Sequence, residues 1–226
     1  MKREIIMTED GSTSIHLPEW NESYHSKHGA IQEARHVFIK NGLDLFKEQS
    51  AIAILEIGFG TGLNALITLL EAEQRKQHID YTGIEAYPVA FSEIQQLNYA
   101  DQLQATEQTQ RFHNMHQSDW EQKEMLSEYF GLTKRKQFFD TITDENTFDL
   151  IYFDAFGFRV QPELWSESIF TKMFQALKAE GVLVTYACRT SIKNAMITSG
   201  FTVEKLPGAP GKREMLRATK KQITDL

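Results

Sequence analysis

The sequence predicts an α/β protein in which a mostly parallel, seven-stranded sheet carries helices on both faces. Three observations lead there. Apolar runs of strand length alternate with helical stretches from residue 51 onward, and a glycine-rich turn joins the first of these strands to the first helix. The last two apolar runs are joined by a short Pro/Gly loop, Pro207 to Gly211, which makes the last strand antiparallel.

The elements follow in order. Residues 1–50 read as a helix-and-loop preface to a core spanning 51–226, the whole forming a single domain. Ala51 to Ile57 is the first strand, and 63–76 is a helix with Leu63, Leu66, Ile67 and Leu70 at helical spacing. Ile79 to Ile84 is the second strand. Pro88 suits the first turn of a helix over about 88–99. The polar stretch 100–129 reads as an insertion, a helix plus a hairpin anchored by Phe112 and Trp120. A third strand covers Phe130 to Phe139 and ends at Asp140; the fourth, Phe148 to Phe153, ends at Asp154. A helix from Pro162 or Glu163 to Ala179 stops at Gly181 and leads into a fifth strand, Val182 to Cys188. Helix 190–199, capped by Thr190 or Ser191, ends at Gly200; Phe201 to Lys205 and Glu214 to Thr219 close the sheet.

Composition narrows the function classes. A chain of 226 residues is long enough to bury a full core. No apolar run approaches the roughly 20 residues of a membrane span, and the N-terminus lacks a signal-peptide core. The single cysteine, Cys188, forbids an internal disulfide and fits a reducing, cytoplasmic setting; within a buried strand it is a packing residue. The net charge of −7 argues against a protein that coats nucleic acid. Two basic clusters stand against that background, Lys134-Arg135-Lys136 and the run from Lys205 to Lys221, with six basic residues against Glu214. His25, His28 and His36 match no metal-ligand spacing, and one cysteine excludes a thiolate zinc site, so no metal is expected.

In doubly wound sheets ligands sit outside the carboxyl ends of the strands, so the residues that end each strand matter most. The first strand ends in Glu56-x-Gly58-x-Gly60-x-Gly62, where bare backbone lets a ligand approach a helix N-terminus. That spacing differs from the dinucleotide fingerprint and resembles the S-adenosylmethionine (SAM) methyltransferases of the Rossmann-like class I fold. Glu85, 23 residues beyond Gly62, is placed to accept both hydrogens of a ribose diol. Asp140, beside Phe138 and Phe139, is placed to accept from an adenine amino group. Asp119, beside Trp120, is the rival for that role; Asp140 is preferred because it lies only 14 residues before Asp154. Asn64 and Glu56 are assigned to the amino-acid end of the cofactor. Asp154 stands where a methyl group meets its acceptor, able to orient an amine and take up its proton.

Taken in order, Glu56-Ile-Gly-Phe-Gly-Thr-Gly-Leu-Asn64, Asp154-Ala-Phe, Pro162-Glu-Leu-Trp165 and Gly211-Lys-Arg-Glu-Met-Leu216 resemble the tRNA 5-methylaminomethyl-2-thiouridine methyltransferases. The segment Tyr24 to Phe38 resembles that family's N-terminal part. The resemblance implies methyl transfer from SAM to the aminomethyl substituent of the wobble uridine, position 34, of tRNA, with Asp154 beside the acceptor amine. It implies Lys212 and Arg213 facing tRNA phosphate, and Tyr24, Ser26 and Arg35 closing over cofactor or substrate. Bifunctional members carry a second, flavin-dependent domain; this chain resembles the stand-alone form, so that fused activity is expected to be absent. Asp154-Ala-Phe is followed by Gly157-Phe-Arg-Val-Gln-Pro162, where the family often has Ala-Pro-x-x-x-Pro, which loosens the loop beside the acceptor. Two readings compete: a SAM methyltransferase acting on a small-molecule or protein amine, and a nucleotide-binding module without methyl transfer.

Overall fold

The computed structural model describes residues 2–221. The sheet forms where the sequence alternates, and its strands occur in chain order as β4 (Ala51–Ile57), β5 (His78–Ile84), β6 (Lys123–Met125), β7 (Phe130–Arg135), β8 (Phe148–Phe153), β9 (Leu177–Thr185), β10 (Thr202–Pro207) and β11 (Glu214–Thr219). Their spatial order is β10-β11-β9-β8-β4-β5-β7-β6. The five central strands run parallel, while β11 pairs antiparallel with β9 and β10 with β11. Strand order reverses at β4, with β5 on one side and β8 on the other, so the switch-point crevice opens at the carboxyl ends of β4 and β8. An eighth strand extends the expected seven. It arises in the insertion, where β6 folds back antiparallel on β7, the hairpin expected there.

The helices pack where apolar residues recur at helical spacing. Leu63, Leu66, Ile67 and Leu69 of α2 (Leu63–Arg75) are buried, and Lys76 closes the helix in the left-handed conformation at φ 54°. In the insertion α5 (Thr109–Gln117) buries Phe112 and Met115. Lys134, itself buried on β7, donates from Nζ to the His116 carbonyl near the end of α5 at 2.8 Å. Its ammonium also lies 4.8 Å from the centre of the Trp120 ring, and burial lowers its pKa to about 8. On the other face α6 (Glu167–Ala176) and α7 (Thr190–Thr198) cover β8 and β9, with Trp165, Phe170 and Met173 in the core.

Several expectations are corrected. The preface is a three-stranded antiparallel sheet, β1 (Glu4–Met7), β2 (Thr13–Leu17) and β3 (Glu22–Ser23), followed by α1 (Ala30–Ala34) and a π-helical turn, Arg35–Lys40. The signal was Asp10-Gly11: Gly11 sits at φ 82° and the hairpin closes through the Thr8 N–H to the Ser12 carbonyl at 2.8 Å. The helix expected over 88–99 is two short pieces, α3 (Phe91–Ile94) and α4 (Tyr99–Gln102). Asn98 interrupts it: its Oδ1 accepts from the Thr13 N–H at 2.8 Å and its Nδ2 donates to the Gly11 carbonyl at 2.9 Å, binding the hairpin.

The third strand ends at Arg135, four residues before the expected Phe139, because its partner β5 has ended and the Lys136 N–H donates to Glu121 Oε1 at 2.8 Å. Asp140 therefore lies in a 3₁₀ turn, Phe139–Thr141, rather than at a strand end. The helix expected to reach Ala179 is a 3₁₀ turn, Pro162–Trp165, and α6, after which the chain enters β9 at Leu177 to pair with Phe148. Gly181 lies inside β9 instead of stopping a helix, and Cys188 lies past its end, half-buried. Neither Thr190 nor Ser191 caps α7; Arg189 holds the N-cap position in extended conformation without a side-chain cap bond.

Gly83 sits on β5 against the turn that follows β4. A Cβ there would approach Phe59 Cδ2 to 2.4 Å. Gly83→Ala is expected to cost about 1–3 kcal/mol through overpacking, measured by urea unfolding.

Candidate functional site

The chain leaves β4 through Gly58, Gly60 and Gly62, at φ 88°, 48° and 73°. At Gly58 the requirement is double. The conformation is left-handed, and a Cβ would stand 2.6 Å from the Asp154 carbonyl oxygen, so only glycine lets the two strand ends meet. Backbone bonds hold the meeting point: the N–H groups of Gly58 and Phe59 donate to the Ile84 carbonyl at 3.1 and 2.9 Å, and the Asp154 N–H donates to the Ile57 carbonyl at 2.9 Å.

A cavity of about 1210 Å³ opens over this crevice. It is lined by Gly58 and Gly60, by Glu85, Phe138, Phe139 and Asp140, by Asp154, Ala155 and Phe156, and by Tyr24, Ser26, Glu33, Tyr186 and Lys212. Glu85 is held at both oxygens, accepting from the Gly60 N–H and from the Tyr87 N–H, each at 2.9 Å. Each oxygen keeps a lone pair for the hydroxyls of a diol. Beside it the exposed rings of Tyr87 and Phe138 stand edge to face, centres 5.9 Å apart. Of the two rival acids, Asp140 lines this cavity; Asp119 is not among its lining residues. A glycine cradle at a helix N-terminus, a fixed carboxylate and aromatic edges fit a nucleoside carrying an amino-acid tail.

Glu56 and Asn64 stand behind the cavity wall rather than in it. Both are buried, because Glu56 points into the core beneath α2, and Asn64 Nδ2 bridges two acids: it donates to Glu56 Oε1 at 2.8 Å and to Asp154 Oδ2 at 2.9 Å. Burial holds the Glu56 carboxyl well above the usual range. Asp154 is half-buried at the cavity, and its pKa is pushed up to about 7, first by burial and then by the neighbouring charge of Glu33. An acid poised there is neutral or ionised within ordinary pH, as proton exchange with an amine requires.

The N-terminal segment supplies the roof. Tyr24 lies over Gly60, packs edge to face on Phe156 at 4.9 Å, and has its hydroxyl pushed up to about 12 by burial. Trp20 also meets Phe156 edge to face, with ring centres 5.6 Å apart. His25 is locked under the roof by Ser14 Oγ at 2.9 Å from its Nδ1, and burial holds it down at about 4, neutral. His28 pairs with Glu9 and His36 with the Pro207 carbonyl, so the three histidines serve separate contacts.

Two of the expected substrate-facing residues lie elsewhere. Arg35 is exposed on the π-helical turn, where the helix face that packs inward is Val37 and Phe38, and it does not line the cavity. Arg213 is exposed as well and also lies outside the lining. Lys212 turns inward, away from any outer phosphate: it forms an ion pair with Glu33 and stands over the Tyr186 ring at 4.1 Å. Glu33, Tyr186 and Trp20 were not singled out from sequence. Glu33 lies within the Tyr24–Phe38 segment, but nothing in its local pattern marks it.

Because the folded-state pKa of Asp154 is raised from its ordinary 3.8, its neutral form favours folding below about pH 4, and that contribution is lost as pH rises through about 7. Asp154→Asn cannot titrate. Its melting temperature relative to the parent is expected to rise between pH 4 and pH 8, followed by calorimetry.

Comparison with known proteins accords with this geometry. Residues 90–221 match the model of the S-adenosyl-L-methionine-dependent methyltransferase family. The bifunctional tRNA 5-methylaminomethyl-2-thiouridine biosynthesis protein MnmC of Leptospira interrogans is 29% identical over 88% of this chain and 32% of its own length. The chain thus spans about a third of the curated relatives it matches. Among solved structures, MnmC2 from Aquifex aeolicus superposes with a TM-score of 0.77 at 24% identity, covering 97% of this chain and 70% of that one. Spermidine synthase from Thermotoga maritima superposes at 0.60 with 13% identity, covering 98% and 69%. The chain belongs to the S-adenosyl-L-methionine-dependent methyltransferase family, an enzyme with the class I fold that takes SAM as its methyl donor.

Proposed function

We propose that the protein methylates the aminomethyl nitrogen of 5-aminomethyl-(2-thio)uridine at the wobble position of tRNA. The observation that carries this reading is Asp154, an acid with a pKa near 7 held by Asn64 at the carboxyl edge of the switch point. The names of the relatives, which cover most of this chain, point to tRNA as the bearer of the amine.

Bound SAM supplies an electrophilic methyl group on sulfonium sulfur. Gly58 and Gly60 leave room for it, and Glu85 holds the ribose end. Asp140, with Phe138 beside it, takes the adenine end. The acceptor arrives as an ammonium. Asp154, ionised above about pH 7, accepts one of its protons and so frees the nitrogen lone pair for attack. Transfer of that methyl to nitrogen would leave the C–S electron pair on sulfur as a neutral thioether. The product nitrogen carries the positive charge until it loses a proton. Tyr24, Trp20 and Phe156 shield the reacting pair from water.

Incubation with SAM and tRNA bearing aminomethyl-uridine should add one methyl to the wobble nucleoside, read by mass spectrometry; no gain on such tRNA would sink this reading. Asp154→Ala should lower turnover by about 10²–10⁴-fold with SAM affinity essentially unchanged. Gly58→Ala should abolish SAM binding in a calorimetric titration, since the new Cβ collides with the Asp154 carbonyl.

A further inference from the structure

The N-terminal and C-terminal parts of the chain meet at one ion pair on the cavity wall. Lys212 comes from the loop between β10 and β11, and its ammonium is bonded to Glu33 Oε1 on α1. Glu33 is buried, and its second oxygen accepts from the Ser26 N–H at 3.0 Å, so both oxygens are committed. The Lys212 ammonium also stands 4.1 Å from the centre of the Tyr186 ring. Tyr186 in turn donates its hydroxyl to the Ala155 carbonyl at 2.8 Å, one residue past Asp154. A short chain of contacts therefore runs from the ion pair to the acceptor loop.

We propose that Glu33 and Lys212 are positioning residues for Asp154: their ion pair fixes the loop that carries it and sets the balance of charge the carboxylate meets. This rests on the reading of Asp154 as the group that takes the amine's proton. Six groups face that carboxylate from the elements packed around it. Glu56 and Tyr81 face it from β4 and β5, the first of them pushed toward its neutral form by burial. Asn64 donates to it from α2. Tyr186 faces it from the end of β9, with its hydroxyl held neutral by burial. Glu33 and Lys212 bring charges of opposite sign: Glu33 pushes the carboxyl toward its neutral form and Lys212 toward its ionised form. The pair can hold the midpoint of Asp154 because it is tethered at both ends.

The test is a carboxyl ¹³C NMR titration of the full chain labelled at aspartate, with Asp154→Asn assigning the resonance. Lys212→Met should raise the Asp154 midpoint by about one pH unit or more, and Glu33→Gln should lower it. Lys212→Arg should restore the parent midpoint. With tRNA as acceptor, the acidic limb of the kcat profile should move in the same directions. If Lys212→Met fails to melt cooperatively, Glu33→Gln and Lys212→Arg still decide. A midpoint unmoved in the folded variants, or moved upward by Glu33→Gln, overturns the proposal and leaves the pair as a plain strut. The titration needs no acceptor. Shifted midpoints without any tRNA methylation would therefore sink the assigned substrate while leaving this inference standing.

Discussion

The rest of the structure depends on the contact between Gly58 and the Asp154 carbonyl. Two parallel strands diverge in topology at this point, and the chain from β4 must turn away in left-handed geometry while β8 delivers an acid beside it. A side chain at position 58 would separate the strand ends, because its first carbon would lie 2.6 Å from that carbonyl oxygen. The contact brings together a cradle that a nucleoside can press against and a carboxylate that can handle a proton. The two halves of the chemistry are adjacent because backbone packs on backbone.

A second layer of organisation keeps that carboxylate near the midpoint of its titration. Behind it, Asn64 spends both amide hydrogens on Glu56 and Asp154, so one side chain fixes two acids at once. Placing an acid in such surroundings costs free energy whenever it is ionised, as is common where stability yields to function. In front, the wall is assembled from segments distant in sequence: aromatic residues of the N-terminal roof, the end of β9, and the β10–β11 loop.

The parallel core was legible because its strands are short apolar runs with clear stops, and because the glycine turn has few other uses. That Asp154 and Glu85 line the cavity was legible for the same reason, since strand ends in this fold open on the switch-point crevice. What escaped was set by tertiary contact. Asn98, a poor helix former, bonds the N-terminal hairpin with its side chain, so one expected helix is two short ones. The strand at Phe130 stops where its neighbour stops, which no single segment reveals. Lys212 lies in a run of basic residues that reads as an outer face, yet its partner Glu33 lies 179 positions away and draws it inward. Arg35 is exposed on a helical turn whose inward residues, Val37 and Phe38, pack into the core, so it lies outside the cavity lining.

The Glu33–Lys212 pair also orders events during synthesis. The glycine turn, β5 and Glu85 are translated before Asp140 and Asp154, and these in turn before residue 212. The cavity wall waits for the loop at residue 212, 179 positions after its partner Glu33. In a nascent chain the glycine cradle therefore exists before the wall that Lys212 completes, and the cavity closes only once residues 33 and 212 can meet.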